Sequence, residues 1–413
     1  MSKSVSNTVA IVVQRYGKDV VGGAEAHARI LAEKLKNSLG YSVEVFTTTA
    51  KDYMTWANEY DPGTLEVDGI TVHRFPVNRQ RAKLFALYDR VIRRILRFSR
   101  RFKWLDFFST GLEWLWIYFQ GPVCPALVKT LHKKQGQYRK IIFFCYLYYP
   151  TLVASKGVEA KAILIPLAHD EPPFHFGIVR DLLRRMPRMI PNTEPEWDMI
   201  KRKLDPSSLP FSTPAGLGFD LAAPDMTNEV RPHIKDMVSR GDRFLLYLGR
   251  ISAGKGVHEL ISWYQDWRQV EKSPPIKLVL AGHKESSVII PNVSEISYLG
   301  FVSDAERDYL IQNCFALVNP SVYESLSMIV IEAIMAGKPV LARRQCEVFR
   351  FYSHFAPSVG LFGDGREFSE ELLRQLDIGH EEAQSAIAVS KSWATARFSW
   401  DSILKIFKLQ IEG

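Results

Sequence analysis

The sequence predicts an α/β protein with two lobes, each a parallel sheet covered by helices. Near the start, the apolar run TVAIVV from Thr8 is followed by the loop QRYGKDVVGG and the amphipathic segment AEAHARILAEKLKNS. The same strand, loop and helix rhythm restarts at RFLLYLGR from Arg243. Between them lies STPAGLGFDLAAPD, a stretch rich in Gly and Pro and typical of a linker. Two doubly wound lobes fit these observations better than one very large sheet.

The remaining predicted elements set the bounds of the lobes. Further strand-like runs of the first lobe are YSVEVFTTT, ITVHRF, KIIFFCY, KAILIPLAH and RMIPN. In the second lobe, IKLVLAG, FALVNPS and KPVLA are predicted strands, and KGVHELISWYQDW, SDAERDYLIQNC and SMIVIEAIMAG are predicted helices. We place the first lobe at residues 1–215, the second at 216–396 and a last helix at 397–413.

Composition favours a globular protein of the cytoplasm. The 413 residues are 46% hydrophobic and 24% charged, as in soluble globular proteins. The 4 cysteines lack the spacings of a zinc site or a disulfide framework, which is consistent with a reducing compartment. The N-terminal segment lacks the pattern of a secretory signal, and the longest uncharged run, from Ile141, is shorter than the roughly 20 residues that span a bilayer. We therefore expect a cytoplasmic protein that does not cross a membrane.

The positive charge is concentrated in one segment. The chain carries a net charge of +8, and the stretch from Arg79 to Lys103, with Asp89 as its one acid, accounts for all of this excess. Apolar residues recur there at helical spacing, and aromatic residues follow: Trp104, Phe107, Phe108, Trp114 and Trp116. A basic amphipathic helix with aromatics is typical of an interfacial membrane element. We expect residues 79–120, the basic arm, to bind an anionic membrane surface. The structural alternative is a solvated helix whose aromatics belong to the core.

One stretch of the second lobe, PSVYESLSMIVIEAIMAGKPVLA, places carboxylates at both edges of an apolar run. Ser327 is a good N-cap residue whose hydroxyl can accept from a first-turn amide, while Gly337 and Pro339 end the helix. Glu324 then precedes the helix, and Glu332 lies just beyond its first turn. Such a helix start suits a ligand that bears phosphate and hydroxyl groups. The alternative is a carboxylate that only stabilises the helix dipole.

This stretch resembles the E-x7-E signature of the retaining glycosyltransferases of family 4, which have the GT-B architecture. Other parts of the family pattern occur in the family's order along the chain: GGAEAHARILAEKL, GLGFD, LYLGRISAGKG, LVLAG and SYLGFVSDAERDYLIQNCFALVNPS. The resemblance covers most of the second lobe and part of the first. It implies two Rossmann-like lobes facing each other across a donor-binding cleft, with the helix at 397–413 crossing back to the first lobe.

The resemblance implies roles for residues of the second lobe. Glu332 would hold the ribose hydroxyls of the nucleotide, and Glu324 the hydroxyls of the donor sugar. Arg250 and Lys255 would neutralise the diphosphate as the glycosidic bond breaks, so they would stabilise the transition state more than the ground state. The structural alternative for these two cations is a solvated loop pair. The donor-binding set would also include Gly218, Val302, Ser327, Met328 and Ile329.

The resemblance also implies candidates in the first lobe. Gly22 and Gly23 precede the first helix, where a backbone without side chains lets donor phosphate and acceptor approach; the alternative is an ordinary helix-entry turn. His169 follows a predicted strand and would contact the donor sugar near its reacting carbon. The acceptor-side candidates are His27, Asp170 and Glu171.

The chain departs from the family pattern at one place. The usual Phe-Gly after the first glutamate is Leu326-Ser327 here, and we expect sugar specificity to differ at this point. No Asp-x-Asp pair occurs in the sequence. We therefore expect no catalytic metal and no cofactor, with Arg250, Lys255 and the helix start acting on the diphosphate instead.

The resemblance implies a retaining hexosyltransferase that moves a sugar from a nucleotide-diphosphate sugar to a glycan hydroxyl. We expect a lipid-linked acceptor, a role in bacterial surface polysaccharide (lipopolysaccharide) biosynthesis, and a peripheral position on the inner face of the cytoplasmic membrane. One alternative is a sugar-nucleotide epimerase of the same fold. The other is a nucleic-acid-binding protein, which is disfavoured because the charge lies in one segment and the sequence has no helix-turn-helix, zinc or stacking-sheet motif.

Overall fold

The computed structural model describes residues 7–20, 22–99, 106–220, 229–269 and 274–413. The chain divides into two compact units: unit 1 is Met1–Leu217 with Ile403–Gly413, and unit 2 is Gly218–Ser402. Most of the last helix therefore belongs to unit 1. Residues 221–225 of the predicted linker and residues 100–105 of the basic arm, with Trp104, lie outside the described residues.

The sheet of unit 1 contains the strands predicted from the apolar runs and two that were not predicted, β3 and β8. Its described strands are β1 Thr8–Val12, β2 Ser42–Thr48, β3 Gly63–Val67, β4 Ile70–Phe75, β5 Lys140–Phe144, β6 Ala162–Ile165, β7 Arg188–Met189 and β8 Phe211–Ser212. Their spatial order is β3-β4-β2-β1-β5-β6-β7-β8. The chain leaves β1 toward one edge and returns at β5 toward the other, so the topological switch point lies between β1 and β5.

The prediction of a parallel sheet is wrong at one edge of unit 1. Strands β3 and β4 form an antiparallel hairpin, while the other neighbouring pairs of the described sheet are parallel. Its turn consists of Asp68 at φ 50° and Gly69 at φ 73°. Two left-handed residues form a type I′ turn, one of the two common two-residue hairpin loops, and Asp-Gly is a typical pair for it.

Helices cover this sheet. Before unit 2 begins, the described helices are α1 Gly23–Asn37, α2 Phe85–Ser99, α3 Asp106–Gln120, α4 Pro125–Lys134, α5 Tyr149–Ala154, α6 Gly177–Arg185 and α7 Glu194–Lys201. The core includes Ala10, Val12, Ile141, Phe143 and Leu164, which come from the three central strands and are buried. Strands covered on both faces must be apolar throughout, which is why they are recognisable as continuous apolar runs.

Unit 2 repeats the doubly wound arrangement. Its described strands are β9 Arg243–Leu248, β10 Ile276–Ala281, β11 Ile296–Tyr298, β12 Ala316–Asn319, β13 Val340–Arg343 and β14 Val359–Phe362. Its helices are α8 Pro232–Ser239, α9 Val257–Gln269, α10 Asp304–Asn313, α11 Met328–Met335, α12 Glu347–Phe355, α13 Gly365–Asp377 and α14 His380–Arg397, and α15 Trp400–Glu412 follows. The parallel order β11-β10-β9-β12-β13-β14 puts the switch point between β9 and β12, where ligands bind in open α/β sheets.

The basic arm has one buried face and one exposed apolar row. Ile92 and Leu96 of α2 pack into the core of unit 1 with Trp116 and Ile117 of α3. An exposed apolar row begins just before α2 and runs along its outer side, with between 43% and 59% of each residue accessible: Leu84, Leu87, Val91 and Ile95. Core packing thus accounts for part of the arm, and the exposed row needs a separate explanation. Of the described helices, none has the length and apolarity needed to span a bilayer.

Candidate functional site

The loop after β9 carries Arg250 and Lys255 at the switch point of the unit 2 sheet. The backbone of this loop lies close against the end of β10. A Cβ on Gly282 would lie only 1.9 Å from the carbonyl oxygen of Gly249, so glycine is required there. Arg250 is exposed, and its carbonyl accepts a hydrogen bond of 2.7 Å from the hydroxyl of Tyr247. The glycines fix the path of the loop, and the loop sets the positions of the two cations.

Lys255 and Glu324 meet across the switch point. The Lys255 Nζ lies 2.7 Å from Glu324 Oε1, and the side chains are 31% and 15% exposed. The contact depends on close approach of the two loops: Gly256 has φ 71°, and a Cβ there would lie 2.6 Å from the carbonyl oxygen of Pro320. Two residues far apart in sequence are therefore brought together as a half-buried pair of opposite charges.

The predicted capping role of Ser327 is wrong. Ser327 occupies the N-cap position of α11 with a left-handed backbone, φ 56° and ψ 73°, and its side chain makes no capping hydrogen bond. Its Oγ instead accepts a buried hydrogen bond of 3.0 Å from Nδ2 of Asn319, the last residue of β12. The left-handed backbone accounts for the difference, because an N-cap side chain reaches the first turn from the β region.

The first turn of α11 keeps the donor groups that make a helix start suitable for an anion. The N–H groups of Met328 and Ile329 have no acceptor within the helix, since the first turn lacks preceding carbonyls. The hydroxyl of Ser327 bonds Asn319 rather than these amides. This geometry suits the phosphate contact that the sequence predicts, although the hydroxyl cap is absent.

Glu332 lies on α11 beside the start of α10. Its Oε2 is 3.7 Å from Nε of Arg307, which also pairs with Asp304 and Asp308 at 2.8 Å each. Burial raises the pKa of Glu332 above its ordinary value; Asp304 and Asp308 add to the rise, and Arg307 opposes it. Arg307 is therefore the group that favours the ionised carboxylate, the form that accepts hydrogen bonds from hydroxyl groups.

Two other donor-side candidates of unit 2 have different surroundings. Val302 is half-buried in the turn before α10. A Cβ on Gly218 would lie 2.4 Å from the ring of Trp400, so close packing alone requires a glycine there.

In unit 1, Gly22 and Gly23 lie in the loop after β1, at that sheet's switch point. A Cβ on Gly22 would lie 2.1 Å from Oε2 of Glu25, whereas a Cβ on Gly23 would have no heavy atom of the described structure within 4 Å. Glu25 is buried and bonds Arg15 at 2.9 Å and Gln14 at 2.8 Å. Gly22 is thus required by an internal network, while space is open beside Gly23.

His27 is a core residue of α1. It is buried, and its ring packs edge-on against Phe144 with centroids 5.2 Å apart. Burial lowers its pKa to about 3, so the imidazole is neutral at physiological pH. These properties suit a packing role in the core of unit 1 better than the acceptor-side role that the sequence suggested for His27.

His169 lies in the loop after β6 with carboxylates around it. Its Nδ1 is 3.3 Å from Glu171 Oε1, which accepts a hydrogen bond of 2.6 Å from the hydroxyl of Tyr146. Burial would raise the pKa of Glu171, but hydrogen bonds from His169 and Tyr146 outweigh burial and hold that pKa below its ordinary value. Asp170 is exposed and pairs with His175 at 2.6 Å. Glu171, rather than Asp170, therefore acts directly on His169.

Sequence reasoning missed several residues that position these groups. They are Glu25, Glu196, Arg307 and Asn319. Only Glu196 had a local signal among them, the capping pattern Thr193-x-x-Glu196. Within the described residues, no group of three or more His, Cys, Asp and Glu is placed to hold a metal ion. The absence of a catalytic metal stays a prediction.

Comparison with known proteins extends the description of unit 2. Residues 233–355 match the family model of group 1 glycosyl transferases. Over 168 residues the chain is 26% identical to the O-antigen chain mannosyltransferase B of Escherichia coli, a match that covers 38% of this chain and 43% of that protein.

Solved structures resemble the chain over nearly its whole length. Sucrose-phosphate synthase from Thermosynechococcus elongatus has a TM-score of 0.68 at 16% identity and covers 98% of both chains. Anabaena HepE in complex with UDP and glucose has a TM-score of 0.66 at 16% identity, over 98% of this chain and 99% of that one.

The architecture is the GT-B fold of glycosyltransferases. Within it, the segment similar to the group 1 glycosyl transferases contains Arg250, Lys255, Glu324 and Glu332. The match to the mannosyltransferase spans less than half of that protein's length. The substrates and the partner surface are therefore inferred from the site itself.

Proposed function

We propose that this chain is a retaining glycosyltransferase that moves a hexose-type sugar from a nucleotide-diphosphate sugar to a glycan hydroxyl. The observation that carries the proposal is the Lys255–Glu324 pair, 2.7 Å apart at the switch point of unit 2, beside the first-turn amides of α11. A cation and helix amides suit a diphosphate, and a carboxylate suits sugar hydroxyls. Similarity to group 1 glycosyl transferases supports it.

The chemistry follows from where charge develops. The bond between the anomeric carbon and the diphosphate breaks, and Lys255, Arg250 and the α11 amides stabilise the growing negative charge. The acceptor oxygen bonds the anomeric carbon from the same face, and the leaving phosphate oxygen takes the acceptor proton. Glu332 holds the ribose hydroxyls, and Glu324 orients the sugar. Because fixed cations and amides act on the diphosphate, the proposal includes no catalytic metal.

Donor binding is tested by thermal shift with UDP-, GDP- and ADP-sugars. We expect one nucleotide class to raise the melting temperature of the wild type and to leave Glu332→Ala unchanged. The matched control is Glu370→Ala, which removes a surface carboxylate paired with Arg366 at 2.8 Å in the same unit. Equal shifts in all three proteins would contradict the donor site.

Product analysis separates transfer from epimerisation. Incubation with the donor alone should leave the sugar configuration unchanged, and added glycan acceptor should give a product with the donor's anomeric configuration, measured by NMR. An epimerised donor without acceptor would favour the alternative enzyme class.

We also propose that the acceptor is lipid-linked and that the basic arm binds an anionic membrane surface, as in bacterial surface polysaccharide assembly. Support comes from the exposed apolar row of α2, flanked by the exposed cations Lys83, Arg90 and Arg94. Asp89, the one acid between Arg79 and Lys103, is turned inward, where it accepts a hydrogen bond of 2.9 Å from Trp116 and pairs with Arg93. The outer face is therefore apolar and cationic, as an interfacial helix requires.

Vesicle sedimentation tests the membrane proposal. Each Lys or Arg near an anionic surface contributes about 1 kcal/mol, so replacing Lys83, Arg90 and Arg94 by Ala should weaken binding to phosphatidylserine vesicles roughly 100-fold. The control removes the same charge from exposed lysines of α14 and α15, Lys391, Lys405 and Lys408. Equal binding by both triple variants would contradict the proposal.

A further inference from the structure

Glu196 is a buried carboxylate for which the proposed chemistry has no use. It lies in the first turn of α7 with 2% of its surface accessible. Its Oε1 accepts from the backbone N–H of Ala168 at 2.5 Å, and its Oε2 accepts from the backbone N–H of Asn192 at 2.6 Å. An ordinary capping box would return this carboxylate to the amide of the N-cap residue, Thr193. Glu196 instead joins the loops that follow two neighbouring strands, β6 and β7.

The loop after β6 has a backbone that needs external support. Leu167 has φ 52°, in the left-handed region that bulky residues rarely adopt. On one side of it, the amide of Tyr146 donates to the carbonyl of Pro166 at 3.0 Å. On the other side, Ala168 donates to Glu196. Strained conformations persist where their surroundings hold them on several sides, and they are concentrated at functional sites.

The residue after this fixed point is His169. The Ala168 N–H belongs to the peptide bond with Leu167, one residue before His169, so the carboxylate that holds it constrains the backbone leading into His169. Burial raises the pKa of Glu196 to about 8, and the two backbone N–H groups and the charge of His169 oppose that rise. Glu171 contacts the imidazole from the other direction at 3.3 Å. His169 therefore lies between one carboxylate that touches it and a second that holds its backbone.

We propose that Glu196 is a positioning residue that sets where the His169 imidazole meets the donor sugar. The inference rests on the proposed function, together with the contact near the reacting carbon that the family resemblance implies for His169. Loss of the Ala168 contact should displace the imidazole without removing it. Misplacement of a reacting group by about 1 Å can slow a reaction ~100-fold, so the loss should fall on kcat rather than on donor KM.

Glu196→Gln is the informative variant because it preserves shape and removes one acceptor. An amide offers one oxygen and one NH₂ group, so one of the two backbone N–H groups loses its partner. The matched control is Glu113→Gln. Glu113 is also buried, and it accepts from the amides of Gly177 at 2.9 Å and Ile178 at 3.0 Å, at the start of α6. Both substitutions should lower the melting temperature to a similar extent.

Kinetics and NMR together test whether Glu196 positions His169. With a soluble acceptor, we expect Glu196→Gln to lower kcat roughly 10- to 100-fold with donor KM nearly unchanged, while Glu113→Gln keeps wild-type kcat per folded molecule. In a His169→Ala background, Glu196→Gln should have little further effect, because the two residues act as one unit. The imidazole ¹⁵N resonances of His169, assigned with His169→Ala, should move in Glu196→Gln and stay in Glu113→Gln.

Three results would overturn the positioning role: equal kcat losses in the two Gln variants, full additivity with His169→Ala, or unchanged His169 resonances in Glu196→Gln. The NMR comparison needs no substrate. If the wild type turns over no nucleotide sugar, the proposed function fails, while the resonances still decide whether Glu196 positions His169.

Discussion

Ser327→Gly and Ser327→Ala remove the same hydroxyl, yet the left-handed backbone at this position should give them different stabilities. Ser327 has φ 56°, and its Oγ accepts from Asn319 Nδ2 at 3.0 Å. Both variants leave the buried Asn319 amide without this acceptor, at a cost of about 1–3 kcal/mol. The lost hydrogen bond is common to both variants, so the difference between their free energies of unfolding reports the backbone conformation alone.

The size of that difference follows from two opposing terms. A left-handed conformation costs an L-residue about 1–2 kcal/mol, and glycine escapes most of that cost. Glycine also has more conformational freedom in the unfolded chain, which lowers the stability of the Gly variant by about 0.4–1 kcal/mol. We therefore expect Ser327→Gly to be more stable than Ser327→Ala by about 0.5–1 kcal/mol.

Urea unfolding at neutral pH measures this difference, and a helical serine supplies the control. Ser385 is exposed in the middle of α14, where Ala should be more stable than Gly by about 1 kcal/mol. The order of the two variants should therefore reverse between positions 327 and 385. If Ala is the more stable variant at both, Ser327 does not adopt the left-handed backbone, and our correction of its capping role fails.

Lys255→Ala should lower kcat about 100-fold, because the variant loses a group that stabilises transition-state charge. Wild-type activity should persist in EDTA. Activity that is lost in EDTA and restored by Mn²⁺ would contradict the metal-free chemistry. Arg307→Ala should raise the pH midpoint of nucleotide binding, because the pKa of Glu332 rises further when its opposing cation is lost. An unchanged midpoint in calorimetric titrations at several pH values would exclude that coupling. His27 has a folded pKa of about 3, below its unfolded value, so the unfolded chain binds more protons and stability falls as pH drops below about 6.5, by up to ~1.4 kcal/mol per unit. His27→Leu should lack that slope in urea titrations between pH 4.5 and 7, and an unchanged slope would count against burial of a neutral imidazole.

Much of the fold was predictable because buried parallel strands and amphipathic helices leave local patterns. The central strands of both units coincide with continuous apolar runs, and Gly337 ends α11 at φ 73° as its position suggested. The β3–β4 hairpin was missed although Asp68-Gly69 is a strong turn signal. The pattern of β3 is weak because its side chains are mostly exposed, which leaves little periodicity to detect.

The site was less predictable because its geometry depends on contacts between distant segments. The meeting of Lys255 and Glu324 follows from the order of strands β9 and β12, which apolar runs do not encode. The backbone of Ser327 could not be inferred from a residue type that usually caps helices from the β region. Glu196 has a capping pattern in the sequence, but its second partner, Ala168, belongs to a different strand loop.

In unit 1, two buried carboxylates hold the loops that carry candidate site residues. The ends of parallel strands present backbone N–H groups that the sheet no longer pairs, and a buried amide needs an acceptor. Glu196 satisfies two such amides directly. Glu25 acts through Arg15, whose guanidinium reaches the carbonyl of Lys51 at 2.7 Å. A carboxylate has two oxygens and can join two segments at once, which a hydroxyl cap does less well. Substitution of Glu25 or Glu196 should therefore alter the geometry of these loops, although the loop residues themselves stay the same.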